Sequence, residues 1–91
     1  MDFEVSDHAE QHRFEITVDG ERAGLAYYRL DGESIVFTHT EVDPAFEGKG
    51  VGSRLANGAL TQAGERGLRI VPQCPFIAAY LKRHPELASA A

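Results

Sequence analysis

The apolar residues of this chain change period once, and the change falls at a glycine-rich segment. Phe14, Ile16 and Val18 alternate with Glu15 and Thr17, the period of a strand with one face in a core. Past residue 50, Val51, Leu55, Ala59 and Ala63 recur every fourth position with Leu60 alongside, the period of an amphipathic helix. Strands first and helices afterwards exclude an all-helical bundle and an all-β sandwich, and they predict an α+β layout.

The strand half divides at turn signals. Phe3 and Val5 open a short first strand, and Phe14–Val18 is the centre of a second. Asp19-Gly20 is a hairpin signal. Ala23–Leu30 is the third strand, and Asp31-Gly32 is a second turn of the same chemistry. Ser34–Val42 is the fourth, with Ile35, Phe37 and His39 expected on one face and Val36, Thr38 and Thr40 on the other. Tight turns between consecutive strands make an antiparallel meander. A helix follows from about Gly50 to Arg66, with Gly67 as its C-terminal cap. Leu68–Val71 reads as a short strand stopped by Pro72. Pro75 opens a C-terminal helix that runs to Arg83, and Pro85 ends it. The fourth strand, the long helix and the fifth strand form a β-α-β crossover, so those two strands run parallel. With 91 residues the chain is expected to be one domain, 1–91.

Charge narrows the partners. Nine Lys and Arg stand against 14 Asp and Glu, a formal charge of −5. That field disfavours nucleic acid and suits a cationic amine. Cys74 is the only cysteine, which excludes an intrachain disulfide and fits a reducing compartment. The start, Met1-Asp2-Phe3-Glu4, is acidic and resembles no targeting peptide, and no run reaches the ~20 apolar residues of a membrane span. The expected location is cytoplasmic, with no membrane partner. The four histidines and one cysteine lack close zinc-ligand spacing, so no metal site is expected.

Between strand and helix lies Phe46-Glu47-Gly48-Lys49-Gly50-Val51-Gly52-Ser53-Arg54. Alternate glycines let a backbone turn tightly and approach a ligand. The first amides of a helix have no internal partner, and with the helix dipole they form an anion site suited to a diphosphate. Lys49 and Arg54 add positive charge. A Walker loop is excluded, because no Gly-Lys-Ser/Thr follows a glycine at the required spacing. A dinucleotide fingerprint is disfavoured by the antiparallel strands before the loop. A plain glycine turn capping a helix remains open on the loop alone.

The segment Glu47-Gly48-Lys49-Gly50-Val51-Gly52 resembles the acetyl-CoA signature of the GCN5-related N-acetyltransferase (GNAT) family, Arg/Gln-x-x-Gly-x-Gly/Ala. Glu47 departs from its first position. The likeness extends through Thr38–Val42, Val71–Phe76 and Ala79–Pro85, and the chain is similar to the small single-domain proteins called YjdJ-type or GNAT-like. It implies a minimal GNAT fold that lacks the helices usually found between the first strands and the closing strands. It also implies acetyl-CoA or CoA as cosubstrate, a pantetheine arm between splayed fourth and fifth strands, and backbone pairing with that arm near Glu41 and Val42. The cofactor-binding residues it implies are Glu41, Val42, Gly48, Lys49, Gly50, Val51, Gly52, Ser53 and Arg54.

Acetyl transfer to an amine needs a neutral acceptor, a polarised carbonyl and a protonated leaving thiolate. His39, near the end of the fourth strand, can accept the amine proton; it can equally be a strand histidine with a structural hydrogen bond. Cys74, ahead of a helix, can serve as transient acetyl acceptor or proton donor; the alternative is a buried small apolar residue. The two could face one cleft. Tyr80 occupies the place where many GNAT enzymes carry a catalytic tyrosine near the CoA sulfur, from which it can protonate the departing thiolate, or it packs in the core with its hydroxyl at the rim. Three functions follow: an acetyl-CoA-dependent N-acetyltransferase, monomeric or homodimeric, acting on a small-molecule or protein amine; a non-catalytic CoA-binding module; and an interaction domain with a vestigial loop.

Overall fold

The computed structural model describes the backbone of residues 1–90 and the side-chain surroundings of residues 1–87. Five strands form one sheet in chain order: β1 (Phe3–His8), β2 (Arg13–Val18), β3 (Glu21–Asp31), β4 (Ser34–Val42) and β5 (Arg69–Pro72). The first four pair antiparallel, and β5 pairs parallel with β4. Helix α1 (Val51–Glu65) makes the crossover, and α2 (Pro75–Arg83) follows β5. The α+β fold is therefore the one expected, its sheet mixed because the crossover makes β4 and β5 parallel. β1 and β2 are joined only by a 3-10 turn at Ala9–Gln11.

The two hairpins differ in their turns. Val18 pairs with Glu21, so Asp19-Gly20 is the two-residue loop, and both residues have positive φ, 51° and 87°. This is the primed-turn chemistry read from the sequence. Asp31 pairs with Ser34, so the second loop is Gly32-Glu33 rather than Asp31-Gly32. Gly32, at φ 59°, takes the first central position, and Asp31 stays in the ladder.

The core lies on one face of the sheet, under α1 and α2. Phe14, Ile16, Ala26, Ile35 and Phe37 from the strands meet Leu55, Ala59, Leu60 and Ile77 from the helices, all fully buried. Gly58 lets α1 lie close to β1, since a Cβ there would stand 2.7 Å from Val5 Cβ. No helix covers the opposite face among the described residues, and Arg13, Glu15, Tyr27 and His39 stand on it.

One irregularity re-aims β4. Tyr27 pairs with His39 and Tyr28 with Phe37, so Thr38 is an extra residue opposite the Tyr27/Tyr28 step. Such a bulge reverses the alternation beyond it. Ile35 and Phe37 face the core, but so then does Thr40, which pairs with buried Ala26. His39 turns to the open face beside Tyr27. The expectation that Ile35, Phe37 and His39 share a face is thus corrected.

β5 also differs in detail. Pro72 belongs to the strand and pairs with Phe37, and the parallel ladder ends there. The amides of Gln73 and Cys74 both donate to the Phe37 carbonyl, at 3.0 and 2.9 Å. Past this point Thr38–Val42 has no β5 partner, and the two strands part.

Candidate active site

The glycine loop is built from a cap, two left-handed glycines and a close-packed third. Asp43 accepts a hydrogen bond from the Ala45 amide at 2.9 Å and fixes a 3-10 turn, Pro44–Phe46, that the sequence did not announce. Gly48 and Gly50 have φ of 81° and 74°, with open space where a Cβ would be. Gly50 is the N-cap of α1 and offers no side chain to its first turn. The first helical bond runs from the Arg54 amide to the Gly50 carbonyl, 3.1 Å. The amides of Val51, Gly52 and Ser53 are therefore the helix's open donors.

Gly52 has a different reason to be glycine. A Cβ there would stand 2.9 Å from Phe76 Cζ, so the bare backbone accommodates the ring at the start of α2. Phe76 remains 38% exposed. With Val42, Gly48 and Gly50 it lines a cavity of about 260 Å³ at the loop. Lys49 Nζ sits 5.9 Å from the centre of the Phe46 ring, and the Arg54 guanidinium lies 4.1 Å over Phe3. Among the described residues no carboxylate forms an ion pair with either cation.

Cys74 is the N-cap of α2 and is 4% exposed. Its Sγ stands 3.3 Å from Thr40 Oγ1. Burial pushes the thiol pKa up. The Thr40 hydroxyl and the neighbouring amides of Ile77, Phe76 and Thr40 favour the thiolate and push it down, and they prevail. The result is a thiol more acidic than usual at the point where β4 and β5 part, in keeping with donors gathered at a helix N-terminus.

His39 is not on that side. Its ring stacks over Tyr27, with centroids 6.3 Å apart and planes at 20°, and its Nε2 lies 3.7 Å from Glu41 Oε2. The His39 side chain is 62% exposed. His39 and Cys74 thus flank the strand opening from opposite faces of the sheet instead of lining one cleft. Thr40, given no role from the sequence, is the β4 side chain that meets Cys74, because nothing in Thr38-His39-Thr40 signals a bulge. Tyr80 is buried, its hydroxyl accepts a hydrogen bond from Asn57 Nδ2 at 3.2 Å, and its ring stacks on His84 with centroids 4.3 Å apart. Glu41 and Val42 line a second cavity of about 220 Å³, and Val42 also lines the loop cavity, so the end of β4 divides the two. Among the described residues there is no cluster of His, Cys, Asp or Glu fit to hold a metal ion, and no helix is long and apolar enough to cross a membrane.

Known proteins resemble this chain in sequence and in fold. Residues 13–90 match the family model described as GCN5-related N-acetyl-transferase. The chain is 33% identical over 82 residues to Protein NATD1 of Mus musculus, covering 87% of this chain and 74% of that protein. It is 31% identical over 77 residues to Protein NATD1 of Homo sapiens, covering 82% and 68%. The solution structure of a GCN5-like protein from Staphylococcus aureus is similar at TM-score 0.68 and 26% identity, over 92% of this chain and 82% of that one. The ribosomal-protein-S18-alanine N-acetyltransferase of Escherichia coli is similar at TM-score 0.66 and 18% identity, over 79% and 50%, a likeness of fold alone. The match over residues 13–90, which spans the crossover and its glycine loop, means that the chain belongs to the GCN5-related N-acetyltransferase family.

Proposed function

We propose that this protein is an acetyl-CoA-dependent N-acetyltransferase acting on an amine. The observation that carries the proposal is continuity. The open amides of Val51–Ser53 and the separation of β4 from β5 are joined through Val42 and Phe76, which line the loop cavity. The diphosphate binds the open amides with Lys49 beside it, where a helix N-terminus favours negative charge. The pantetheine arm then lies along the unpaired edge of β4 near Glu41 and Val42, and the thioester reaches the level of Thr40 and Cys74.

The opposed faces divide the chemistry. The amine approaches from the open face, and its nitrogen attacks the thioester carbonyl. As the new C–N bond forms and the C–S bond breaks, His39 takes the proton from nitrogen. Cys74 gives its proton to the departing sulfur, and the Thr40 hydroxyl and the α2 amides stabilise the thiolate left behind. Proton exchange with solvent restores both groups. Tyr80 acts in this scheme by holding α2 against α1 through Asn57. The acidic surface suits a cationic acceptor, and a single reduced thiol suits a cytoplasmic setting.

A non-catalytic CoA-binding module is the second reading. Glu47 favours it, since a carboxylate replaces the Arg or Gln of the family signature. Incubation with radiolabelled acetyl-CoA and a panel of primary amines separates the two. The enzyme reading expects label on an amine and a large loss of transfer in His39→Ala and Cys74→Ala, with CoA affinity kept. CoA binding without transfer to any amine would establish the module.

A further inference from the structure

Arg54 is distinguished by its seat: among the described residues it has no carboxylate partner and it lies over an aromatic ring beside the glycine loop. Arg13, Arg22 and Arg66 are all engaged by carboxylates, from Glu15 and Asp7. Among the described residues Arg54 is not; its guanidinium is seated on the Phe3 ring, 4.1 Å from the centroid. Stacking holds the planar group and leaves its N–H donors free at the edge. It borders a cavity of about 340 Å³, floored by Phe3, Val5 and Gly58 and edged by the polar side chains of Ser53 and Asn57. Ser53 also lines the loop cavity, so the two cavities adjoin at the first turn of α1. Arg54 lies four residues past Gly50, about 6 Å along the helix axis at ~1.5 Å per residue. That spacing is of the order that separates phosphates on the two sides of one ribose.

We infer that this outer cavity receives the adenosine end of CoA and that Arg54 binds its 3′-phosphate, which makes the protein selective for CoA over dephospho-CoA. The inference rests on the acetyl-CoA reading above and adds a specificity determinant to it. Asn57, whose Nδ2 donates to Tyr80, turns its Oδ1 to the base edge, and Phe3 and Val5 supply the apolar floor. Lys49 and Arg54 then divide the anion, the first beside the diphosphate and the second beside the terminal phosphate.

The test is the affinity of the whole protein for CoA and for dephospho-CoA, measured by titration calorimetry in wild type, Arg54→Ala and Arg54→Lys. The wild type is expected to bind CoA at least about tenfold more tightly, in line with a charge-assisted hydrogen bond to phosphate. Arg54→Ala should lose that factor for CoA while its dephospho-CoA affinity stays unchanged. Arg54→Lys should keep part of the preference, and raised salt should shrink it in the wild type. Equal affinity for both ligands in the wild type overturns the inference and leaves the diphosphate site standing. So does an equal loss for both ligands in Arg54→Ala. Binding of neither ligand to the wild type overturns the acetyl-CoA reading itself, and this inference falls with it.

Discussion

Thr40 Oγ1 lies 3.3 Å from Cys74 Sγ, joining the core face of β4 to the first turn of α2 at the point where the sheet opens. Without the extra residue at Thr38 that place would belong to His39. The bulge therefore decides which side chain meets the thiol and which faces the open side of the sheet.

The Cys74 thiol, beside the Thr40 hydroxyl and the amides at the start of α2, has its pKa lowered. Thr40→Val removes the hydroxyl and should raise it, read from the pH dependence of thiolate absorbance or of alkylation rate. The linkage has a definite sign. The folded pKa lies below the unfolded value of about 8.5, so the native state gains stability as pH rises from the folded pKa to that value. The gain is absent at lower pH. Cys74→Ala should abolish this rise in chemical denaturation curves taken across the window, and an unaltered rise would exclude Cys74 as its source.

Tyr28 makes the opposite statement. Burial and its 2.7 Å hydrogen bond to Asp7 raise the phenol to about 12, against the contrary effect of Arg66. The neutral phenol is the folded form, so its contribution is complete below about 10 and is lost as pH climbs through about 12. Spectrophotometric titration should show one tyrosine ionising together with unfolding in that range. Tyr28→Phe should remove that tyrosine from the titration.

Gly58 and Gly52 should respond differently to alanine. At Gly58 a Cβ would meet Val5 Cβ at 2.7 Å, and Val5 cannot yield without moving β1. Overpacking of this kind costs about 1–3 kcal/mol, against about 1 kcal/mol gained in helix propensity. Gly58→Ala should therefore destabilise by up to about 2 kcal/mol in urea unfolding, and Val5→Ala, which removes the two methyls at 2.7 and 2.9 Å and leaves only the Cβ contact, should restore part of that. At Gly52 the obstacle is the tip of the half-exposed Phe76 ring, 2.9 Å away, which can swing. Gly52→Ala should leave stability within about 1 kcal/mol of wild type while changing the loop cavity. A loss at Gly52 as large as that at Gly58 would contradict this account.

Gly50→Val tests the loop by conformation. Space is open around Gly50, but its φ of 74° is a conformation that β-branched residues rarely adopt. The variant should lose about 1–3 kcal/mol of stability with no ligand present, and CoA binding should weaken because the turn reorients. Gly50→Asn, which tolerates left-handed φ, should retain most of both. If Val and Asn behave alike, the positive φ is not what the position requires.

The sequence by itself determined the order of elements, the hairpins, the crossover helix and the glycine loop at its start. These are local matters of side-chain period, left-handed glycines and helix ends, and each is legible in a few adjacent residues. Phe14-Glu15-Ile16-Thr17-Val18 can be read without its neighbours, and so can Val51, Leu55 and Ala59. The tertiary structure alone decided what the site residues face. The bulge at Thr38 comes from the register of β4 against β3, which no residue type there encodes, and it moved His39 to the open face and Thr40 to Cys74. The same holds for Gly52 under Phe76 and Arg54 on Phe3. Each joins residues more than twenty positions apart, and only packing sets such distances.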